Sequence, residues 1–364
     1  MSRNDFWKQF DFWLFGSVVI LCIFGIAMIQ SAIAGNEELL GYENRQAIFV
    51  AGGMVVLLVF AFIDYRYWQS LSRVLYIFAV VLLVGIYVIG TALYGSARWF
   101  DTGVILIQPS EMIKIIMIMV LANYFARNQS APKDLRWIIS SFLLTAGVVI
   151  WIILQPNLST SIVIFVIWFA LLWISGLPPK YFLILGVVAV ILFAIAFPLL
   201  EPYQQSRIVN FIFPDPNATY GDTYNVEQAL ISIGSGGWLG MGYGHGTQVQ
   251  LRFMKVRHTD FIFSAIAEEF GFVGTMAVLG LLLFVIFRCF RAGKLADDMY
   301  GSLLAYGVGT LMAFQTAVNV GVNLNVLPVT GLTLPFVSYG GSSLIALVMG
   351  VGLVESVIAH RKAI

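Results

Sequence analysis

Charged side chains are scarce in this chain. Asp, Glu, Lys and Arg together make up 11% of its 364 residues, and hydrophobic residues make up 60%. A soluble globular protein carries about 25% charged residues. The apolar residues gather in runs that are long enough to cross a bilayer as helices. This composition excludes a soluble domain as the main body of the protein and predicts an all-α polytopic membrane protein.

Other absences narrow the organisation further. The chain has two cysteines, Cys22 and Cys289, and because both fall in or beside apolar segments we expect buried thiols rather than a disulfide framework. The sequence shows no repeat of fixed period and no low-complexity tail. The first apolar run has full membrane length and follows a short polar stretch, residues 1–9, which favours an uncleaved membrane anchor over a signal peptide.

The apolar runs predict about ten transmembrane helices. Their approximate ranges are 12–33, 46–63, 71–94, 109–126, 136–154, 158–175, 180–200, 260–288, 301–325 and 338–359. If the N-terminus is inside, the inner segments hold most of the arginines and lysines, and the short outer loops hold only Arg45 and Arg98. The positive-inside rule therefore predicts that both termini lie in the cytoplasm.

One large piece is predicted outside the membrane, the loop at about residues 201–259 between the seventh and eighth helices. Residues 224–233 have the periodicity of a short amphipathic helix. The glycine-rich run 234–246 indicates tight turns or close backbone approach, and because no strand precedes it, dinucleotide binding is not expected. We expect residues 1–364 to form a single membrane domain that carries this loop.

Polar motifs gather at the predicted outer ends of the helices. QPSE at residues 108–111, QPN at 155–157, HTD at 258–260 and the segment 323–343 all fall there, whereas the inner loops carry only basic anchors. We therefore expect a working site on the outer side, near the lipid headgroups.

The most unusual stretch opens the eighth predicted helix. Asp260, Glu268 and Glu269 enter an apolar segment with no basic residue beside them before Arg288. A charge inside the bilayer costs roughly 2.5–3.5 kcal/mol on insertion scales, so these acids need partners on other helices or a function. A simpler alternative stays open, because Thr259 or Asp260 would also suit a helix N-cap.

Two interpretations also stay open for the other polar residues. Glu111 and Lys114 are three residues apart on one helix face and can pair, either as a self-neutralised structural pair or to orient a nearby group. Trp99 is typical of a membrane interface, and the GGSS segment at 340–343 is interpreted as tight helix packing. Four outer arginines are either solvated loop charges or a site for an anionic, phosphorylated substrate. They are Arg98, Arg207, Arg252 and Arg257.

Together these motifs resemble the SEDS family (shape, elongation, division and sporulation), and most closely its RodA branch. The matching segments cover nearly the whole chain. They are QPSE at 108–111 with Lys114, QP at 155–156, IGSGG at 233–237, HTDFIF at 258–263 with Glu268 and Glu269, PVTGLTLP at 328–335 and SYGGSS at 338–343. The RodA branch is favoured over the FtsW branch by GTQ at 246–248, by Arg257 and by the short termini.

The resemblance implies a peptidoglycan glycosyltransferase, a hexosyltransferase with an undecaprenyl-pyrophosphate-linked donor. Such enzymes polymerise lipid II at the outer face of the bacterial cytoplasmic membrane, here during cell elongation and rod-shape maintenance. The implied partners are lipid II as donor and acceptor, a class B penicillin-binding protein transpeptidase and other elongation-complex membrane proteins, with no nucleic acid. The family's essential acid matches Asp260. The expected supporting residues are Trp99, Glu111, Lys114, Thr259, Glu268 and Glu269.

The chain departs from the family pattern at two positions. Asn157 stands where the family usually has an aspartate, so a charge-based role is in question there. Lys255 stands where the family often has a proline shortly before the HTD motif. A lysine at position 255 would alter the path of the loop or add a phosphate contact.

The mechanistic hypothesis assigns Asp260 as general base and the outer arginines as partners of the leaving pyrophosphate. A divalent cation, Mg²⁺ or Mn²⁺, could assist, although one aspartate alone is no metal-binding constellation. A helix N-terminus and Arg257 would lower the pKa of Asp260, and desolvation would raise it. The alternatives are a lipid II flippase, an FtsW-type division polymerase, or a scaffold that only activates its partner.

Overall fold

The computed structural model describes residues 3–89, 91–93, 96–101, 106–215, 220–251, 253 and 256–361. Helices account for most of this part of the chain. In order they are α1 (Arg3–Gln9), α2 (Phe12–Ile33), α3 (Tyr42–Phe62), α4 (Tyr65–Ile89), α5 (Pro109–Arg127), α6 (Leu135–Leu154), α7 (Leu158–Ile174), α8 (Lys180–Ala196), α9 (Pro202–Ile212), α10 (Gly221–Ser235), α11 (Thr247–Gln250), α12 (Ile262–Leu295), α13 (Met299–Asn323) and α14 (Gly341–Ala359). Three short strands lie between α4 and α5, namely β1 (Thr91–Leu93), β2 (Ser96–Asp101) and β3 (Leu106–Ile107).

Within the described ranges, nine helices are long and apolar enough to cross a membrane. They are α2, α3, α4, α5, α6, α8, α12, α13 and α14. Helix α7 is apolar but has only 17 residues, about 26 Å at 1.5 Å per residue, slightly less than the hydrocarbon core of about 30 Å. Each of the ten predicted spans coincides with one of these ten helices. The prediction of an all-α, multi-pass membrane protein is confirmed.

The predicted helix ends are wrong where polar residues continue a helix beyond its apolar part. Helix α3 begins at Tyr42 rather than near residue 46, because Glu43 and Arg45 lie in its first turn. Helix α12 continues past Arg288 to Leu295. Hydropathy marks the part of a helix that lies in lipid, whereas backbone hydrogen bonds continue into the interface.

The centre of the bundle is formed by α5, α13 and α14. Helices α5 and α14 are almost wholly buried, and α14 packs along α3 and α5. Helix α8, by contrast, has no buried residue and lies at the periphery. Cys22 and Cys289 are buried, unpaired thiols, as expected from the sequence.

The glycine-rich run after α10 binds the backbone of α12 where that helix is broken. Gly271 has φ +63° and ψ −166°, a combination that is essentially restricted to glycine. The Phe272 amide donates to the Gly237 carbonyl at 2.8 Å, and the Met241 amide donates to the Glu268 carbonyl at 2.9 Å. A Cβ on Gly240 would collide with the backbone at Glu269. The prediction of close backbone approach is therefore confirmed. The helix predicted at 224–233 is also present, as α10, with Val226 and Ala229 on its buried face.

A small antiparallel sheet precedes α5 and was not predicted. Strand β2 is central and pairs with β1 and β3, with Phe100 opposite Ile107 and Asp101 opposite Leu106. This region was assigned in part to the third apolar span, because its strands are too short to show an alternating pattern. Strand β2, which includes Trp99, lies beside α5.

Candidate active site

A cavity of about 560 Å³ opens where α5, the turn before α12, and α14 begin. It brings together residues from widely separated parts of the sequence. Its lining consists of Tyr42, Arg45, Phe49, Trp99, Leu106, Gln108, Glu111, His258, Thr259, Asp260, Gln315, Gly331, Leu332, Thr333, Tyr339, Gly340, Gly341, Ser342 and Ser343. The structure therefore places four of the predicted site residues, Trp99, Glu111, Thr259 and Asp260, around one space.

The turn that carries Asp260 is held by its backbone carbonyls. The His258 carbonyl accepts from the Tyr339 amide at 2.9 Å, and the Thr259 carbonyl accepts from Ser338 Oγ at 2.7 Å. The Asp260 carbonyl accepts from two side-chain amides on α13, Asn319 Nδ2 at 3.0 Å and Asn323 Nδ2 at 2.9 Å. The polypeptide is thus fixed while the side chains of this turn remain available to the cavity.

The helix-cap interpretation of Thr259 and Asp260 is wrong. Helix α12 begins at Ile262, its N-cap position is Phe261, and no side chain caps it. Thr259 Oγ1 donates instead to the Val256 carbonyl at 3.2 Å. Among the described residues, no hydrogen bond reaches the Asp260 carboxylate, so this group faces the cavity as an acceptor with unused capacity.

Burial raises the pKa of Asp260 from its ordinary value of 3.8 to about 6. The positive charge of Arg207 opposes this rise, and the negative charge of Asp222 adds to it. The carboxylate keeps partial contact with the cavity, yet the surrounding protein removes enough water to disfavour its ionised form. From the sequence, a helix N-terminus and Arg257 would lower the pKa of Asp260, and desolvation would raise it. Desolvation is the larger effect.

His258 lies beside Asp260 in a different electrostatic state. Burial and the neighbouring Arg257 lower the pKa of His258 to about 4, so its imidazole is neutral at physiological pH. Its ring lies 5.9 Å from the ring of Tyr42 and 5.9 Å from that of Tyr339, and these two tyrosines stack at 4.6 Å. The cavity therefore has an aromatic wall next to a carboxylate that titrates near neutral pH.

Glu111 and Lys114 form the expected pair on α5. The distance from Lys114 Nζ to Glu111 Oε2 is 2.8 Å, and the lysine side chain is 1% exposed. Of the two, only Glu111 lines the cavity. The two interpretations left open by the sequence are therefore compatible, since the pair neutralises itself and also fixes a carboxylate at the cavity wall.

Glu268 and Glu269 do not line the cavity, although they were expected to support Asp260. Glu268 accepts from the Gln248 amide at 2.8 Å and from Thr247 Oγ1 at 3.2 Å, so it caps α11. Glu269 accepts a hydrogen bond from Ser31 on α2. These carboxylates join the glycine-rich run and α2 to α12, which is a structural role.

Of the four predicted arginines, the two whose side chains the structure describes, Arg207 and Arg257, do not line the cavity. Arg207 Nε lies 3.2 Å from Asp222 Oδ2, and Arg257 is buried, with its Nε donating to the Ala32 carbonyl. Arg252, Lys255 and the side chain of Arg98 lie outside the described residues. Among the side chains that the structure describes, the cation that lines the cavity is Arg45 on α3.

Several cavity residues were missed by the sequence analysis. The guanidinium of Arg45 lies 5.7 Å from the ring of Tyr42, and Gln315 is 1% exposed with an Oε1 that has no hydrogen-bond partner. Ser342 Oγ accepts from the Gln108 amide at 3.0 Å. The GGSS segment gave a signal that was interpreted as helix packing alone. For Tyr42, Arg45 and Gln315 no motif marked the residue.

Asn157 has a local structural role. Its Oδ1 accepts from the Thr160 amide at 3.3 Å at the N-terminus of α7, and its Nδ2 lies 3.4 Å from Ser110 Oγ. Asn and Asp are similarly good N-caps. The amide therefore replaces the carboxylate expected at this position without loss of the cap, and it lies outside the cavity lining.

The described residues contain no group of three or more His, Cys, Asp and Glu side chains that could hold a metal ion. Asp260 is the cavity acid with free acceptor capacity, since Glu111 is paired with Lys114. Mg²⁺ is commonly bound through one or two carboxylates together with substrate phosphates. One free carboxylate does not by itself define a metal site among the described residues.

A family model described as "Cell cycle protein", covering FtsW, RodA and SpoVE, matches residues 12–363 of this chain. The chain belongs to this family. The resemblance inferred from the motifs is confirmed, and the FtsW/RodA/SpoVE match includes the ten long helices and the cavity between them.

Two curated FtsW/RodA/SpoVE relatives match over nearly their whole length. The "Probable peptidoglycan glycosyltransferase FtsW" of Hydrogenovibrio crunogenus is 35% identical, and the alignment covers 98% of this chain and 95% of the relative. The "Peptidoglycan glycosyltransferase MrdB" of Escherichia coli K12 is 34% identical, with 99% and 97% covered.

Solved structures show the same architecture. A structure described as "Structural coordination of polymerization and crosslinking by a peptidoglycan synthase complex" contains a chain that matches with a TM-score of 0.82 and 30% identity, over 97% of this chain and 99% of that one. The crystal structure of the Thermus thermophilus rod shape determining protein RodA matches with a TM-score of 0.72 and 30% identity, over 97% and 98%.

Proposed function

We propose that this member of the FtsW/RodA/SpoVE family polymerises lipid II into glycan strands during cell elongation. The enzyme class is that of its relatives, and the chain is a peptidoglycan glycosyltransferase. The observation that supports the site assignment is the Asp260 carboxylate, which lines the 560 Å³ cavity without a hydrogen-bond partner among the described residues and titrates near neutral pH.

In the proposed reaction, the 4-hydroxyl of an acceptor GlcNAc attacks C1 of the donor MurNAc. Asp260 takes the hydroxyl proton as the new C1–O bond forms. The bond from C1 to the pyrophosphate oxygen breaks, and its electron pair leaves with undecaprenyl pyrophosphate. A β-linkage formed from an α-linked donor requires one inverting displacement and hence one base. A base whose pKa is close to the working pH is largely ionised and still binds a proton well, which are the two properties that the reaction needs.

The other cavity groups have roles that follow from their chemistry. Arg45 offers a guanidinium to the negative charge of the leaving pyrophosphate, and Arg207 acts on Asp260 through its charge. Trp99, Tyr42 and Tyr339 provide apolar faces against which sugar rings can pack. Lys114 keeps Glu111 paired and in place, and Gln315 Oε1 is an acceptor for a sugar hydroxyl or acetamido group. Arg98 and Arg252 remain proposed pyrophosphate contacts.

The proposed setting is the bacterial cytoplasmic membrane, with both termini in the cytoplasm and the cavity near the outer headgroups. This orientation rests on the distribution of basic residues. Residues 1–364 are proposed to act as a single membrane domain with an extracytoplasmic loop at about 201–259. One similar structure is of a synthase complex that coordinates polymerization and crosslinking. By analogy, we propose a class B penicillin-binding protein as partner.

A lipid II flippase is the competing function, because buried polar groups suit a transport path. The residues that follow Lys114 on α5, residues 115–121, are all buried and apolar. The seven residues of α5 that follow the Glu111–Lys114 pair are thus apolar. This apolar stretch favours a reaction at one membrane face over passage across the bilayer.

The two functions are separated by two assays on the same purified protein. With labelled lipid II and its penicillin-binding partner in detergent, we expect glycan strands on a gel. In sealed vesicles we expect no acceleration of lipid II movement between leaflets above protein-free vesicles. Movement without any glycan product would contradict the polymerase and support the flippase.

The pH dependence of polymerisation tests the role of Asp260. The protonated carboxyl cannot accept a proton, so kcat/KM should rise with pH through about 6 and level off above it. At pH 5 we expect about a tenth of the plateau rate. A thermal melt at each pH controls for unfolding. A rate that stays constant from pH 5 to 7 would exclude a base that titrates at Asp260.

A further inference from the structure

A second cavity, of about 340 Å³, lies at the opposite end of the helix bundle. It is bounded by the start of α2 and by the C-terminal ends of α12 and α14. Helices α12 and α14 begin at the candidate active site, so the length of the bundle separates the two cavities. The second cavity takes no part in the proposed reaction.

The acids of this cavity are already occupied by neighbouring groups. Asp11 caps α2 by accepting from the amides of Trp13 and Leu14, and it pairs with Arg288, whose Nε lies 2.7 Å from Asp11 Oδ2. The Asp11 amide in turn donates to Glu355 Oε2 at 3.0 Å. These contacts hold three helices together, and Asp11 is the one carboxylate in the lining among the residues that the structure describes.

Two arginines of the lining are not neutralised in this way. Arg361 Nε is buried and has no hydrogen-bond partner, and Arg291 makes no ion pair with any residue that the structure describes. The lining has three arginines (Arg288, Arg291 and Arg361) and one acid, Asp11. Even if Glu355 behind it is counted as ionised, three positive charges face two negative ones. A buried N–H without an acceptor is costly, so this cavity favours an anion.

The rim of the cavity faces the membrane. Phe12 is 58% exposed and Trp13 is 73% exposed, and both are in the first turn of a membrane-spanning helix, where aromatic side chains mark the headgroup level. Guanidinium groups bind phosphate oxygens in pairs, and basic pockets between transmembrane helices hold anionic headgroups. The arginines of the lining and the apolar rim together suit a phosphate group that is attached to a lipid.

We propose that this cavity binds a phosphate-bearing anion through Arg291 and Arg361. The phosphate can be supplied by an anionic phospholipid headgroup or by free phosphate, and the apolar rim favours the phospholipid. The site is independent of the proposed polymerase activity. Because Arg291 lies on α12 and Arg361 follows α14, an occupied site would hold the ends of these two helices together.

The test titrates the full chain, in neutral detergent micelles, with three probes: phosphatidylglycerol, phosphatidylcholine and inorganic phosphate. We expect phosphatidylglycerol to raise the melting temperature in a saturable way, because a ligand that binds only the folded state stabilises it, and phosphatidylcholine to have no such effect. In the double variant Arg291→Gln/Arg361→Gln, the apparent affinity for phosphatidylglycerol should fall at least about tenfold.

A matched double variant, Arg127→Gln/Arg136→Gln, removes two exposed arginines from the same end of the bundle and should bind as the unaltered protein does. A shift with inorganic phosphate alone would assign the site to the free ion, and a shift only with phosphatidylglycerol would assign it to the lipid. The proposal is overturned if neither probe shifts the melt. Equal titrations for the unaltered chain and the Arg291/Arg361 variant would also overturn it.

Discussion

Replacement of Asp260 by Asn is expected to reduce glycan polymerisation by roughly 10²–10⁴-fold, the range typical for loss of a general base. The amide keeps the size of the side chain and cannot take the acceptor proton. The backbone contacts that hold the turn use the Asp260 carbonyl, which the substitution leaves intact. Strand formation from labelled lipid II, measured beside the unaltered enzyme, gives the ratio.

The same substitution should stabilise the protein at neutral pH. The pKa of Asp260 is raised to about 6 in the folded state, so the folded protein binds the proton more tightly than the unfolded chain. The ionised carboxylate therefore lowers the free energy of unfolding progressively as pH rises from about 4 to 6, and this penalty persists above pH 6. Removal of the charge should raise the free energy of unfolding by on the order of 1–2 kcal/mol, after allowance for the partial exposure of the carboxylate.

Two further variants sharpen this result. Asp260→Glu moves the carboxylate by one methylene. Its polymerisation rate should also fall about 10²-fold, because a displacement of about 1 Å is enough to disturb a reacting geometry. Glu227→Gln removes an exposed acid from α10 and should leave the rate unchanged. Near-normal polymerisation by Asp260→Asn, with a normal melt, would remove Asp260 from the role of base.

The second large effect is expected at Lys114. Lys114→Met leaves Glu111 as an unpaired charge with little exposure, and loss of one partner of a buried ion pair costs about 3–5 kcal/mol. We expect a lower melting temperature in detergent together with lower polymerisation, since Glu111 lines the cavity. Thermal unfolding followed by intrinsic fluorescence measures the first effect, and the lipid II assay measures the second.

The double variant Glu111→Gln/Lys114→Met separates packing from chemistry. Without either charge the helix face is neutral, so most of the lost stability should return. If polymerisation stays low in this double variant, the charged pair contributes to the reaction itself. A melt of Lys114→Met that equals that of the unaltered protein would show that the pair adds nothing to stability.

The sequence predicted the ten long helices and the meeting of Asp260, Glu111, Thr259 and Trp99. The helices could be predicted because hydropathy is read directly along the chain. The meeting of the four residues could be predicted because they lie in polar motifs that the sequence places at the same ends of the helices. Tyr42, Arg45 and Gln315 could not be predicted in the same way. They reach the cavity only through the packing of α3 and α13 against the rest of the bundle, which no local pattern encodes.

The acids after Asp260 show the opposite error. Glu268 and Glu269 follow Asp260 by eight and nine residues, and they were expected from the sequence to support it because buried charge needs a partner. Their partners are backbone amides and hydroxyl groups, Gln248 N and Ser31 Oγ among them. Neutral donors of this kind leave no trace in a charge pattern, so a structural carboxylate and a reactive one look alike in sequence.

The break at Gly271 gives the first turns of α12, which follow the candidate base, a second set of backbone partners. An unbroken helix transmits a rotation or a shift along its whole length through its own hydrogen bonds. At this break the carbonyls of Glu268 and Glu269 and the amides of Phe272 and Val273 bond to the glycine-rich run instead. The segment between Asp260 and Gly271 is therefore bonded both to α13 and to the glycine-rich run, so a shift of the far part of α12 reaches Asp260 only against these contacts.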